Sequence, residues 1–202
     1  MSELPSFLTN GTFDLDYFLR KTTTKMFTSK EDTSYKSIRI SYHPGQSKPD
    51  QIIKVTKALN DAGYRVGIFG TSHPSNLRAN IEFTEMAYKA GVFFFIRDFL
   101  GFYQDHLYGD FYYPKGLNGN KKKCECRIQE LLVGPDGLVY RCHKDLYEDV
   151  NPIGSILDMS FEIEDIFRSC NNYGICNECD LKRKMSPDLK TSKCSIEIKE
   201  II

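Results

Sequence analysis

The first 123 residues contain no cysteine, whereas seven follow: Cys124, Cys126, Cys142, Cys170, Cys176, Cys179 and Cys194. The chain also lacks an excess of charge of either sign, with 27 Lys+Arg against 27 Asp+Glu. That balance removes the broad basic footprint of a nucleic-acid or membrane-surface binder. The run Lys121–Lys122–Lys123 is short and reads as a solvated loop face. No stretch approaches the roughly 18 apolar residues of a membrane helix. The N-terminal "MSELPSFLTNG" has no basic start followed by an apolar stretch, so no secretory leader is expected. The expected setting is therefore cytoplasmic, with neither nucleic acid nor membrane as a partner. In a reducing compartment, clustered cysteines argue for metal rather than for disulfides.

Hydrophobic residues make up 41% of the 202-residue chain, enough for one large or two small cores. The cysteine-free part alternates strand and helix signals. "SIRISYHP" is a β-rich run ending at His43–Pro44. In "GQSKPDQIIKVTKALNDAG", Ser47 can cap and Pro49 suits a first helical turn. Ile52, Val55, Leu59 and Ala62 recur at helical spacing, and Gly63 closes the helix. "YRVGIFGTSHP" is a second strand, ending at His73–Pro74. The next helix is expected to place Leu77, Ile81, Thr84 and Tyr88 on one face and to close at Gly91. "VFFFIRDF" is a third strand, apolar until Arg97 and Asp98. Upstream, "PSFLTNGT" reads as another strand and "FDLDYFLRKT" as a short helix.

About four β/α units in a curved or barrel-like parallel sheet follow from this repeat. Functional groups in such sheets gather at the C-terminal ends of the strands. Those ends hold Thr9, Asn10, Ser41, His43, Ser72, His73, Arg97 and Asp98. The plain alternative is that the His-Pro pairs only terminate strands, because proline cannot continue a ladder. The aromatic bridge "GFYQDHLYGDFYYPKG" is expected to pack against the sheet mouth.

The cysteine-bearing part opens with "CECRIQELLVGPDGLVYRCH". Apolar residues alternate on either side of Pro135–Asp136–Gly137, the pattern of a β-hairpin. Cys126 is expected to precede the first strand and Cys142 to follow the second, so the hairpin would bring them together. "FEIEDIF" reads as a short helix leading to Cys170 and to the C-x-x-C knuckle Cys176–Cys179. Two thiolate pairs from distant segments suit either tetrahedral zinc or a 4Fe-4S cluster. A redox dithiol at Cys176/Cys179 is a third reading, but that motif should open a helix directly after a strand. The single knuckle tilts the choice toward iron–sulfur.

Taken together, these segments make the chain resemble the C-terminal part of a radical S-adenosylmethionine (SAM) enzyme with a Twitch or SPASM-type auxiliary-cluster domain. "FLTNGT" resembles the third strand of that barrel, and the next three strands its fourth to sixth. "CRIQELLVGPDGLVYRC" follows the family pattern of cysteine, spacer, glycine, four residues and cysteine. "NPIGSILD" and "CNEC" resemble the segments that follow. The resemblance implies a partial β/α barrel over residues 1–114 and an auxiliary-cluster domain over 115–202. It implies that Cys126, Cys142, Cys176 and Cys179 hold one auxiliary 4Fe-4S cluster, with Cys124 and Cys170 as alternates. Ser41, His43, His73 and Arg97 would line the barrel mouth, where SAM or a small-molecule or peptide substrate binds.

The C-x3-C-x2-C motif of the catalytic cluster is missing, as is the glycine-rich SAM-amine motif. The implied alignment starts the chain two strands into the barrel. This polypeptide alone is therefore not expected to cleave SAM. A second chain or an N-terminal segment would complete the barrel at the strand edge near residues 5–9. The competing reading is a non-enzymatic zinc- or iron–sulfur-binding module that docks on a partner protein.

Overall fold

Short apolar runs alternating with glycine-closed amphipathic segments fold as parallel strands with helices between them. The computed structural model describes residues 6–27, 36–109, 122–128, 131–162, 165–173 and 196–201. The chain is mixed α/β and divides into two units, Met1–Gly109 and Asp110–Ile202.

In the first unit, β1 (Phe7–Thr9) leads to α1 (Leu15–Lys21), which Asp14 caps by accepting from the Tyr17 amide at 2.8 Å. Such a cap contributes about 1 kcal/mol. Then come β2 (Ile38–Ser41), α2 (Pro49–Asp61), β3 (Val66–Thr71), α3 (Leu77–Lys89) and β4 (Phe94–Arg97). The four strands form one all-parallel sheet in the order β1-β2-β3-β4. The sheet is open; among the described residues no strand closes it into a barrel. Gly63 takes φ +84° after α2 while the Tyr64 amide donates back to the Leu59 carbonyl at 2.9 Å, the left-handed turn that glycine makes without strain.

One face of the sheet carries the core. Ile38, Ile40, Val66 and Ile68 pack with Ile52, Val55 and Leu59 of α2 and with Phe83 and Ala87 of α3. Each fully buried Ile, Leu or Phe contributes roughly 1.5–3 kcal/mol. The periodicity of α2 holds for Ile52, Val55 and Leu59, while its N-cap is Lys48 rather than Ser47. Ser47 Oγ instead accepts from the His43 amide at 3.0 Å.

The face expected for α3 is wrong. Leu77, Ile81 and Tyr88 are 51%, 62% and 85% exposed, and the buried residues are Asn80, Phe83 and Ala87. Asn80 turns inward because its amide nitrogen donates to the Thr71 carbonyl at 2.9 Å, which satisfies a donor that would otherwise be costly to bury. The aromatic bridge forms a hairpin of β5 (Gly101–Tyr103) and β6 (His106–Tyr108). Its two turn residues, Gln104 and Asp105, both have positive φ (49° and 61°), as a primed two-residue turn requires.

The second unit contains two three-stranded sheets. The predicted hairpin is present as β8 (Leu132–Val133) and β9 (Leu138–Tyr140), closed by Gly137 N–H donating to Gly134 O at 3.0 Å. A further strand, β10 (Gly154–Ser155), pairs with β9. The other sheet has the order β11-β7-β12, where β7 is Lys122–Ile128, β11 is Arg168–Tyr173 and β12 is Ile196–Glu200. Cys126 precedes the hairpin, but inside β7 and in a separate sheet. One expectation fails here. The short helix read from "FEIEDIF" is absent from the described residues of that segment, which run without helix into β11. A helix not foreseen, α4 (His143–Glu148), begins directly after Cys142. Among the described residues no helix is long and apolar enough to cross a membrane.

Candidate functional site

Side chains two apart on a strand share a face, as do directly opposed residues on antiparallel strands. Cys124 and Cys126 are two apart on β7, and Cys170 on β11 is the Cα partner of Cys124. The three thiols therefore share one face of the sheet. Cys124 is 1% exposed, and its Sγ lies 3.7 Å from the Cys170 carbonyl oxygen, to which it donates. The Cys126 thiol is hydrogen-bonded to the Cys170 thiol. That bond, burial, and the nearby Cys170, Cys124 and Cys142 sulfurs together push Cys126 far above the usual thiol range.

Cys142 reaches this neighbourhood from the hairpin side. It is the N-cap of α4, its Sγ accepting from the Asp145 amide at 3.4 Å. Burial pushes its thiol up to about 11, against the opposing effect of that amide hydrogen bond. Two segments far apart in sequence and the end of the hairpin thus bring Cys124, Cys170 and Cys142 within electrostatic reach of Cys126. Cys176, Cys179 and Cys194 lie outside the described residues. Among the described residues alone, no group of three or more His, Cys, Asp or Glu side chains is disposed to hold a metal ion.

Sequence reasoning did not single out the cations around these thiols. Arg168 is the Cα partner of Cys126, and its guanidinium is held below the usual arginine range by burial and by the like charge of Arg141, with Cys126 acting the other way. Only the strand register could have revealed this pairing. Arg168 also lines an open cleft of about 350 Å³ with Ile153, Ser160 and Glu162.

The residues expected at the barrel mouth are distributed more unevenly. Arg97 ends β4 and stacks over Phe69 with its guanidinium 5.2 Å from the ring centre. Ser41 ends β2 and is the Cα partner of Phe69. His43 lies in the loop after β2, exposed, with its backbone engaged by Ser47. The His73 ring packs edge-on against Phe99 and Tyr103 at 4.4 and 4.6 Å, and its Nδ1 bonds the Ser75 hydroxyl at 2.7 Å. His73 thus caps a short 3₁₀ turn and anchors the aromatic hairpin. Thr9 and Asn10 hold the turn after β1, accepting from the Gly11 and Thr12 amides at 3.1 Å.

No known family model matches the chain, and neither a curated protein nor a solved structure is significantly similar to it.

Proposed function

We propose that the chain is the C-terminal part of a radical SAM enzyme, with an auxiliary 4Fe-4S cluster in the second unit and a substrate-side wall of a β/α barrel in the first. The observation that carries this reading is that Cys124 and Cys170 share a sheet face with Cys126 across β7 and β11, with Cys142 at the end of the hairpin within electrostatic reach of Cys126. The proposed ligands are Cys126, Cys142, Cys176 and Cys179, with Cys124 and Cys170 as alternates. The described thiols supply the soft donors that iron–sulfur clusters and zinc both accept, while a complete ligand shell requires the knuckle cysteines as well. A bound cluster with these four ligands would supply one-electron chemistry. Arg168 and Arg141 would offset the negative charge of the assembled thiolates, and the α4 cap would fix the orientation of Cys142. With no C-x3-C-x2-C motif, the chain alone is not expected to cleave SAM.

Anaerobic purification followed by metal analysis and visible spectroscopy tests the proposal. About four irons per chain with a broad charge-transfer band near the blue end of the spectrum is the expected result. Stoichiometric zinc without that band would replace the cluster reading with a zinc module. Formation of 5′-deoxyadenosine by this chain alone would refute the claim that the catalytic cluster lies elsewhere.

A further inference from the structure

The three thiols on the face shared by β7 and β11 are not equivalent. Cys124 is buried, and its Sγ turns to the Cys170 carbonyl oxygen at 3.7 Å. Cys126 instead meets Cys170 thiol to thiol, the two hydrogen-bonded across the strands. Cys126 and Cys170 also keep part of their surface open, which Cys124 does not. The accessible pair is therefore also the pair in contact. Register explains how they meet. Cys124 faces Cys170 and Cys126 faces Arg168, so Cys126 and Cys170 are diagonal neighbours on one face. Diagonal Cα atoms stand roughly 7–8 Å apart. That is at or just beyond the about 7 Å that a disulfide spans without backbone movement. The register of β11 against β7 shifts just past Cys170, between it and Tyr173. A strand bends at such an irregularity, which supplies the small closure the bond needs.

We propose that Cys126 and Cys170 form a reversible disulfide, closed by exchange with a small-molecule disulfide such as oxidised glutathione and reopened by excess thiol. One sulfur of the pair attacks glutathione disulfide, breaking its S–S bond and releasing one glutathione. The other attacks the resulting mixed disulfide and releases the second glutathione. One S–S bond forms and one breaks. Two electrons pass from the protein to the small disulfide, and the two cysteine protons leave on the two glutathiones. A cross-strand bond at the wide end of the permitted range is strained, and strained disulfides are the labile, regulatory kind. Transient bonds of that kind are the ones a reducing compartment holds. Closing the bond withholds the Cys126 sulfur from a metal. That consequence, unlike the bond itself, rests on the proposed cluster.

The test uses the full chain, metal-free and reduced, equilibrated with oxidised glutathione and then alkylated. Cleavage after Glu125 and after Tyr173 separates Cys126 from Cys124 and Cys170 from Cys176, so mass spectrometry identifies each partner. The expected product is a Cys126–Cys170 linkage that is lost in excess reduced glutathione. Linkage of Cys170 to Cys124, Cys176, Cys179 or Cys194 instead, or mixed disulfides with glutathione alone, would overturn the proposal. Cys124→Ser, checked for folding by thermal melting, should form the same linkage to the same extent; loss of the linkage in the folded variant would also overturn it. Reconstitution with ferrous iron and sulfide separates the two readings. Iron uptake should be lost in the oxidised chain and restored by reduced glutathione. The linkage without iron uptake in either state removes only the cluster, and iron uptake without the linkage removes only this inference.

Discussion

Cys142 serves two masters within one side chain. As the cap of α4 it needs only to accept from the Asp145 amide, which a hydroxyl does as well as a thiol. As the proposed cluster ligand it would have to be a soft thiolate, and at about 11 its thiol is protonated at neutral pH until a metal displaces the proton. Compared metal-free with metal-free, Cys142→Ser should therefore keep thermal stability within about 1 kcal/mol of the parent, while the iron bound on reconstitution falls steeply. Melting and metal analysis of the same sample separate the two roles.

Tyr140 gives a residue-scale prediction of a different kind. Its hydroxyl donates to Asp149 at 2.5 Å, and that bond, then burial, then the charges of Asp149 and Asp136 push it up to about 12. An unfolded tyrosine titrates near about 10. The protonated form is the one the fold favours, so the contribution is complete below pH 10 and is lost as pH rises toward 12. The melting temperature of the parent should fall across that window more than that of Tyr140→Phe.

At the scale of elements, what could be read from the sequence depended on how local its cause was. The hairpin was legible because Gly137, at φ +84°, and the Asp136 carboxylate, which accepts from the Leu138 amide at 3.0 Å, write the turn within a few residues. Gly137→Ala would strain that φ and place a methyl 2.9 Å from Leu157 Cγ, so a loss of about 1 kcal/mol or more is expected in a urea titration. The β/α units were legible for the same reason, through the periodicity of α2 and the glycine caps. The buried face of α3 was not, because Asn80 looks like a surface residue until its partner Thr71, nine positions away on β3, is known. The sheet of β7, β11 and β12 was illegible for a stronger reason. Its pairings join residues 46 and more than 70 positions apart, Cys124 with Cys170 and Cys126 with Ile198, and no local pattern announces them. The spacing drew attention to the cysteines but could not choose among them. Register moved Cys124 and Cys170 to the side of Cys126, and the knuckle that dominated the reading lies outside the described residues.

For the whole molecule, the two units differ in what stabilises them. The first has a twelve-residue apolar cluster of buried side chains. Among the described residues of the second, the fully buried apolar side chains reduce to Val139, Tyr140 and Cys124. A bound metal centre would add a staple to that unit. Unfolding followed in urea should show two transitions, and treatment with an iron chelator under reducing conditions should lower only that of the second unit. A single transition unaffected by the chelator would count against a structural metal.

The position of Cys124 has a kinetic consequence. It sits in the central strand of its sheet, with a neighbour on each side and almost no surface in contact with water. An alkylating reagent can reach that sulfur only when the structure around it opens, whereas Cys126, Cys142 and Cys170 are each partly open. In the metal-free protein, the rate at which mass spectrometry sees Cys124 modified after its three neighbours is thus a clock for that local opening, run by the protein's own chemistry.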